Sequence, residues 1–225
     1  MGKIALFGAS GKTGLHLVRK LVAARHPVSC LVRNAVKLQR GLGEGAFAAG
    51  TSPAGALLEV EEGCITDATA VARCVDGAAV VVVALGGPPK GPGVDICSKA
   101  QAVINAAVLG AHDHPLVVVV SSIGVGDHYA HCSLFAKAFA SLLIPEALRD
   151  KDVQERSVRE ALTHWIVVRP GGLTDGPATG SWTAAPDACG WFPAIAREDL
   201  AQFLLAECVE PGLASRWLGK NVAVV

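Results

Sequence analysis

Aromatic side chains are scarce in this sequence, at 5% of residues, and Tyr129 is its single tyrosine. A core built without them relies on Ala, Val and Leu. With hydrophobic residues at 51%, that composition suits a parallel sheet covered on both faces by helices. An excess of one charge is also lacking. The 20 basic and 20 acidic side chains cancel and no block of like charge occurs, so net charge draws the chain to neither nucleic acid nor an anionic membrane. No apolar run approaches the ~18 residues of a membrane span. The longest, Ala78 to Leu85, fits a buried strand. The seven cysteines form an odd, scattered set with no Cys-x-x-Cys pair, which argues for reduced thiols packed as small hydrophobes and against a metal site. The first residues show no basic leader followed by an apolar segment, and a cytoplasmic protein is expected.

What is present begins at once. Ile4 to Phe7 reads as a short buried strand, followed by Gly8-Ala9-Ser10-Gly11-Lys12-Thr13-Gly14 and then a helix with Leu15, Val18, Leu21 and Val22 at helical spacing. Such a strand, glycine-rich turn and helix is the opening of a dinucleotide-binding unit. Gly8 permits the tight turn, Gly11 lets the backbone approach a pyrophosphate, and Gly14 lets the helix lie close on the sheet. The amides of the first helical turn then face an anion, with the positive end of the helix dipole behind them. An ordinary turn is the competing reading of three glycines, and the strand and helix on either side weigh against it.

A second apolar run, Val28 to Val32, ends in Arg33-Asn34. In NAD-binding units this strand tends to end in an acid that takes the ribose hydroxyls, whereas a basic residue accommodates the 2′-phosphate of NADP. Arg33 holds that place and Lys37 follows one turn on, so NADP(H) is the expected cofactor; two solvated cations are the plainer alternative. Gly41 to Gly55 reads as a flexible surface insertion, and Leu57 to Val60 as a third strand. A turn over residues 62 to 67 feeds a short helix through Ala78. The strand Ala79 to Leu85 breaks at Gly86-Gly87-Pro88-Pro89, on the edge where open α/β sheets bind ligands.

Val94 to Leu109 is the next expected helix and Leu116 to Val120 a fifth parallel strand, ending in Ser121-Ser122. Those hydroxyls either lie near a nicotinamide or simply end a strand. Helices are expected over Leu134 to Ile144 and Glu146 to Thr163, then a strand Trp165 to Val168 closed by Arg169-Pro170-Gly171-Gly172. Gly180 to Ala196 is loop-like, and its Trp182 and Trp191 either cover a pocket or plug the core. A helix Arg197 to Cys208 and a strand Asn221 to Val225 complete a doubly wound α/β sheet, read as one domain over residues 1 to 225 with pocket elements from about residue 170 onward.

As a set and in order, Ala5 to Gly14, Cys30 to Asn34, Val120-Ser121-Ser122, Val158-Arg159-Glu160, Val168 to Gly172 and Arg197 to Ala201 resemble the atypical short-chain dehydrogenase/reductases, the NAD(P)H-binding NmrA-like group with its Rossmann-like fold. The resemblance implies NADP phosphates on Ser10, Gly11, Lys12 and Thr13, and the 2′-phosphate on Arg33 and Lys37. It implies adenine beside Cys64 and Ile65, ribose and phosphate along Leu85, Gly86 and Gly87, and nicotinamide near Ser121, Ser122, Pro170, Gly171 and Leu173. The family's Tyr-x-x-x-Lys pair would end at Lys151, but Ala147 stands where its tyrosine belongs. Without that proton donor, ketone reduction in the ordinary manner is not expected.

Planar conjugated acceptors of flavin, quinone or tetrapyrrole type are expected instead, with Ser122, Lys151 and Tyr129 as candidate catalytic residues. Lys151 either orients the nicotinamide ribose or is one more solvated cation. His128 and His131 beside Tyr129 are either proton donors or exposed loop residues. The competing function is a non-catalytic NADP(H)-binding redox sensor of the NmrA-like type. The expected partner of the chain is a planar small-molecule acceptor, with neither nucleic acid nor membrane, in a monomer or weak homodimer.

Overall fold

A computed structural model describes residues 2–43, 57–190, 193–210 and 216–225. Alternating strand and helix fold as β1 (Lys3–Phe7), α1 (Lys12–Ala23), β2 (Val28–Val32), α2 (Ala35–Leu42), β3 (Leu58–Glu62), α3 (Ala68–Val75), β4 (Ala78–Val83), α4 (Ile96–Gly110) and β5 (Leu116–Val120). A 3₁₀ turn, Gly126–His131, then leads into α5 (Leu134–Leu143), α6 (Pro145–Ala161), β6 (Trp165–Pro170), β7 (Gly172–Thr174), β8 (Ala184–Ala185), β9 (Ala194–Ala196), α7 (Arg197–Phe203) and β10 (Lys220–Val224). Eight strands form one sheet in the order β3-β2-β1-β4-β5-β6-β10-β8, while β7 and β9 pair separately. Among the described residues every pairing is parallel except β10 with β8, which gives a Rossmann-like doubly wound sheet.

The side-chain alternation of a strand splits the core in two. Ile4, Leu6, Cys30, Val82, Val118 and Val168 pack under α1, α2 and α7, through Leu17, Leu38 and Leu200. Ala5, Phe7, Leu31, Val83 and Val119 pack on the other side under α3, α4 and α6, through Val71, Ile104 and Val158. Because β1 lies between β2 and β4, the chain reverses its direction of travel across the sheet there and opens a crevice at the carboxyl ends of β1 and β4.

Several boundaries differ from expectation. The inward face of α1 is Thr13, Gly14, Leu17, Val18 and Leu21, whereas Leu15 and Val22 are half-buried. Leu15 lies across α2 instead, so close that a Cβ on Gly41 would meet its Cδ2 at 2.6 Å. Gly41 and Leu42 belong to α2 rather than to an insertion, and the rest of that stretch, 44–55, lies outside the described residues. Helix α3 stops at Val75, where Gly77 at φ 65 turns the chain into β4. The last helix changes character at Leu204 and continues as a π-helical stretch to Val209, still burying Leu204, Leu205 and Cys208. Trp182 packs edge-on against Phe203, with ring centroids 6.1 Å apart, which makes it a core plug. Trp191 lies outside the described residues.

Candidate functional site

The first turn of α1 rests directly on the glycine turn. A Cβ on Gly14 would stand 2.1 Å from the Gly8 carbonyl oxygen, and one on Gly8, at φ +96, would stand 2.3 Å from the carbonyl of Ala84. Both positions therefore exclude a side chain. The helix N-cap is Gly11, no side chain among the described residues caps it, and its first turn holds no acid. Neighbouring helices are closed. Asn34 Oδ1 accepts from the Lys37 amide at 2.8 Å, Asp67 Oδ1 from the Thr69 amide at 2.9 Å, and the Asp150 carboxylate from the Cys97 and Ser98 amides at 3.0 Å each. The amide-lined start of α1 is a position that can take an anion, with Ser10 and Thr13 beside it, while the exposed Lys12 pairs with Asp175 at 2.5 Å.

Arg33 and Lys37 are exposed beyond the end of β2. Sequence reasoning missed Glu62. The parallel register sets it opposite Val32, and its Oε2 accepts from the Ala35 amide at 3.1 Å, placing a carboxylate at the start of α2. Cys64 is exposed and its Sγ lies 3.0 Å from Thr66 Oγ1. Hydrogen bonds from Thr66, with a smaller contribution from the Arg33 charge, hold its thiol below the usual pKa. Ile65 beside it is buried. Leu85, Gly86 and Gly87 leave β4 along the crevice, where a Cβ on Gly87 would meet the Gly93 carbonyl at 2.9 Å and one on Gly86 would meet nothing.

Beyond β4 the crevice reaches a cavity of about 540 Å³ at the carboxyl ends of β5 and β6. Ser121, Ser122, Tyr129, Pro170, Gly171 and Leu173 all line it, so the structure brings these expected residues together. Ile123, Phe135 and Ile144 add apolar surface, and Arg197 at the start of α7 is a charged member that sequence reasoning left unassigned. Gly171 lets the chain pass close to Pro193, whose carbonyl oxygen a Cβ would approach to 2.8 Å. Ser122 Oγ donates to the Ile123 carbonyl at 3.1 Å, and Tyr129 is 41% exposed under the Lys137 ammonium, 5.4 Å from its ring centroid.

Lys151 lies outside that lining. Its ammonium donates to the Leu85 carbonyl at 2.8 Å, the Val120 carbonyl at 2.7 Å and Gln154 Oε1 at 3.0 Å, tying together the chain ends that leave β4 and β5. All three of its N–H groups thus have protein acceptors. Behind the cavity, Ser121 Oγ donates to Glu155 Oε1 at 2.6 Å. Arg169 grips the same carboxylate through Nε at 3.0 Å and Nη2 at 2.6 Å, and also reaches Asp127 at 2.7 Å. Burial alone would lower the guanidinium pKa; Glu155 first and then Asp127 outweigh it and raise the value.

His128 is buried, and its Nδ1 accepts from the Gly124 amide at 3.2 Å. Burial first, then the Arg169 charge, lowers its pKa, so the folded state takes up a proton less readily than the unfolded chain, which does so near pH ~6.5. The unfolded state therefore binds more protons as pH falls below that value. Stability present at higher pH is lost on acidification toward the folded pKa. His128→Asn is expected to flatten this part of the curve in urea unfolding between about pH 5 and about pH 7; an unchanged slope would assign the loss to other groups.

Comparison with known proteins gives a consistent outcome. The sequence pattern of an NAD(P)H-binding family matches residues 8–211. The reductase PytE of Aspergillus terreus is 24% identical over 261 residues, spanning 98% of this chain and 97% of the relative. A short-chain dehydrogenase/reductase of Veillonella parvula solved in complex with NADP superposes with a TM-score of 0.78 at 15% identity, covering 99% of this chain and 94% of that one. ChuY of Escherichia coli O157:H7, named an anaerobillin reductase, superposes with a TM-score of 0.74 at 22% identity over 99% and 96% of the two chains. At those identities the solved structures share the fold.

Proposed function

Because this chain belongs to the NAD(P)H-binding family, we propose that it is an NADPH-dependent reductase whose acceptor is a planar conjugated molecule of flavin, quinone or tetrapyrrole type. NAD(P)H is the cofactor its crevice holds, and the uncapped start of α1 above Gly8 and Gly14 fits a pyrophosphate. Bound there, the cofactor supplies hydride. The protein binds, orients and excludes water. Arg33 and Lys37 support NADPH over NADH through charge, with Glu62 opposing them in part.

The observation that carries the reading is the cavity itself. It adjoins the crevice, its walls are largely aliphatic and aromatic, and its hydroxyls come from Ser121, Ser122, Thr174 and Tyr129. A conjugated acceptor spreads the charge it receives and takes its proton from Tyr129 or water, which suits a chain with Ala147 in place of the family tyrosine. The names of two relatives, a reductase and an anaerobillin reductase, agree with this class of chemistry. The expected result is NADPH oxidation dependent on FMN, a quinone or biliverdin.

A sensor without catalysis is the second reading, favoured by the Lys151 ammonium, whose donors are already engaged by Leu85, Val120 and Gln154. Tight NADPH binding with no turnover on any of the three acceptors would decide for the sensor.

A further inference from the structure

Arg197 brings a positive charge into a cavity otherwise lined by apolar and hydroxyl-bearing groups. Its side chain is 20% exposed, and Nη1 donates to Asp175 Oδ1 at 2.6 Å. The other oxygen of that carboxylate meets Lys12 Nζ at 2.5 Å. Two cations thus share one anion, and the trio keeps a net positive charge at the boundary between the anion-binding turn and the cavity. A guanidinium has five N–H donors in a planar fork, so a single carboxylate contact leaves it able to grip a second oxyanion. Asp175 is 59% exposed and already held below its ordinary pKa by Lys12 first and by Arg197, so it remains charged across the neutral range and sets the fork's orientation.

We propose that Arg197 is the specificity-determining residue of the cavity and selects acceptors that carry a carboxylate or a phosphate on their conjugated frame. The proposal rests on the reductase reading for the identity of the cavity as an acceptor site. Arg197 grips the oxyanion while Ile123, Phe135 and Leu173 enclose the apolar ring system. A neutral acceptor of the same shape forfeits this charge-assisted contact.

The test is equilibrium binding to the NADP⁺-saturated protein, followed by fluorescence quenching, with two matched pairs of probes. FMN against riboflavin isolates a phosphate; biliverdin against its dimethyl ester isolates carboxylates. The wild type is expected to prefer the anionic member of one pair or both by about tenfold, and the preferred pair identifies the oxyanion. In Arg197→Gln that preference falls to within about twofold, while Arg197→Lys, which keeps the charge but not the fork, retains an intermediate preference. Equal binding within both pairs by the wild type, or an undiminished preference in Arg197→Gln, overturns the proposal. Because binding is read, absent turnover would refute the reductase and leave the role of Arg197 decided.

Discussion

Glu155→Ala is expected to lower the free energy of unfolding by about 3–5 kcal/mol. The carboxylate is completely buried and the Arg169 side chain it neutralises is 1% exposed. Its Oε1 takes hydrogen bonds from Ser121 and Arg169 Nε, and its Oε2 from Arg169 Nη2 and from Arg159 Nη1 at 3.0 Å. Deleting it strands a guanidinium against Asp127, whose side chain is 76% exposed and well solvated. The cost comes from that uncompensated charge, not from the worth of the pair. Replacing Glu155 and Arg169 together by leucine should therefore recover much of the loss. Urea unfolding of both variants checks this, and a loss under about 1 kcal/mol for Glu155→Ala would show that water reaches Arg169. The cavity should feel the change too, since Ser121 loses the acceptor that fixes its hydroxyl.

Arg33→Asp should reduce the preference for NADPH over NADH by about 100-fold, since an attraction becomes a repulsion. Two unit charges at 4 Å interact by about 1 kcal/mol in bulk water and about 4 kcal/mol near a protein surface, so reversing one sign amounts to a few kcal/mol. Arg33 is exposed, and salt should blunt the effect as the screening length shortens from about 10 Å at 0.1 M to about 3 Å at 1 M. Dissociation constants for both nucleotides by calorimetry, at low and high salt, provide the measurement. Glu62→Gln is expected to shift the preference the other way and by less, because its carboxylate is partly engaged by the Ala35 amide. Equal losses for both nucleotides in Arg33→Asp would mean that the 2′-phosphate sits elsewhere.

Local signals made much of this legible in advance. The run at β5 is apolar throughout and that at β2 is apolar but for Ser29, both are bounded by turns, and they fold as Val28–Val32 and Leu116–Val120 as expected. The glycine spacing at Gly8, Gly11 and Gly14 is equally local. What escaped depends on register and packing. Glu62 lies 27 residues from Ala35 in sequence, and only the pairing of β2 with β3 brings them together. Asp150 sits in a run of charges that reads as solvated, yet α6 packs against α4 and buries it as a helix cap. Nothing local marks Glu155 as buried; only the packing of α6 on the sheet brings it against Arg169 of β6. Strands as short as β8 and β9 carry too few residues for alternation to show.

The ends of the sheet bear on how two molecules of this protein can meet. Along β3 the glutamates at 59, 61 and 62 place three negative charges within five residues, and β8, at the far side, is two residues long. Strands of that kind make poor templates for a neighbouring chain, because like charges repel across an added ladder and a two-residue strand offers few partners. Self-association through continuous extension of the eight-stranded sheet is therefore disfavoured at both of its margins.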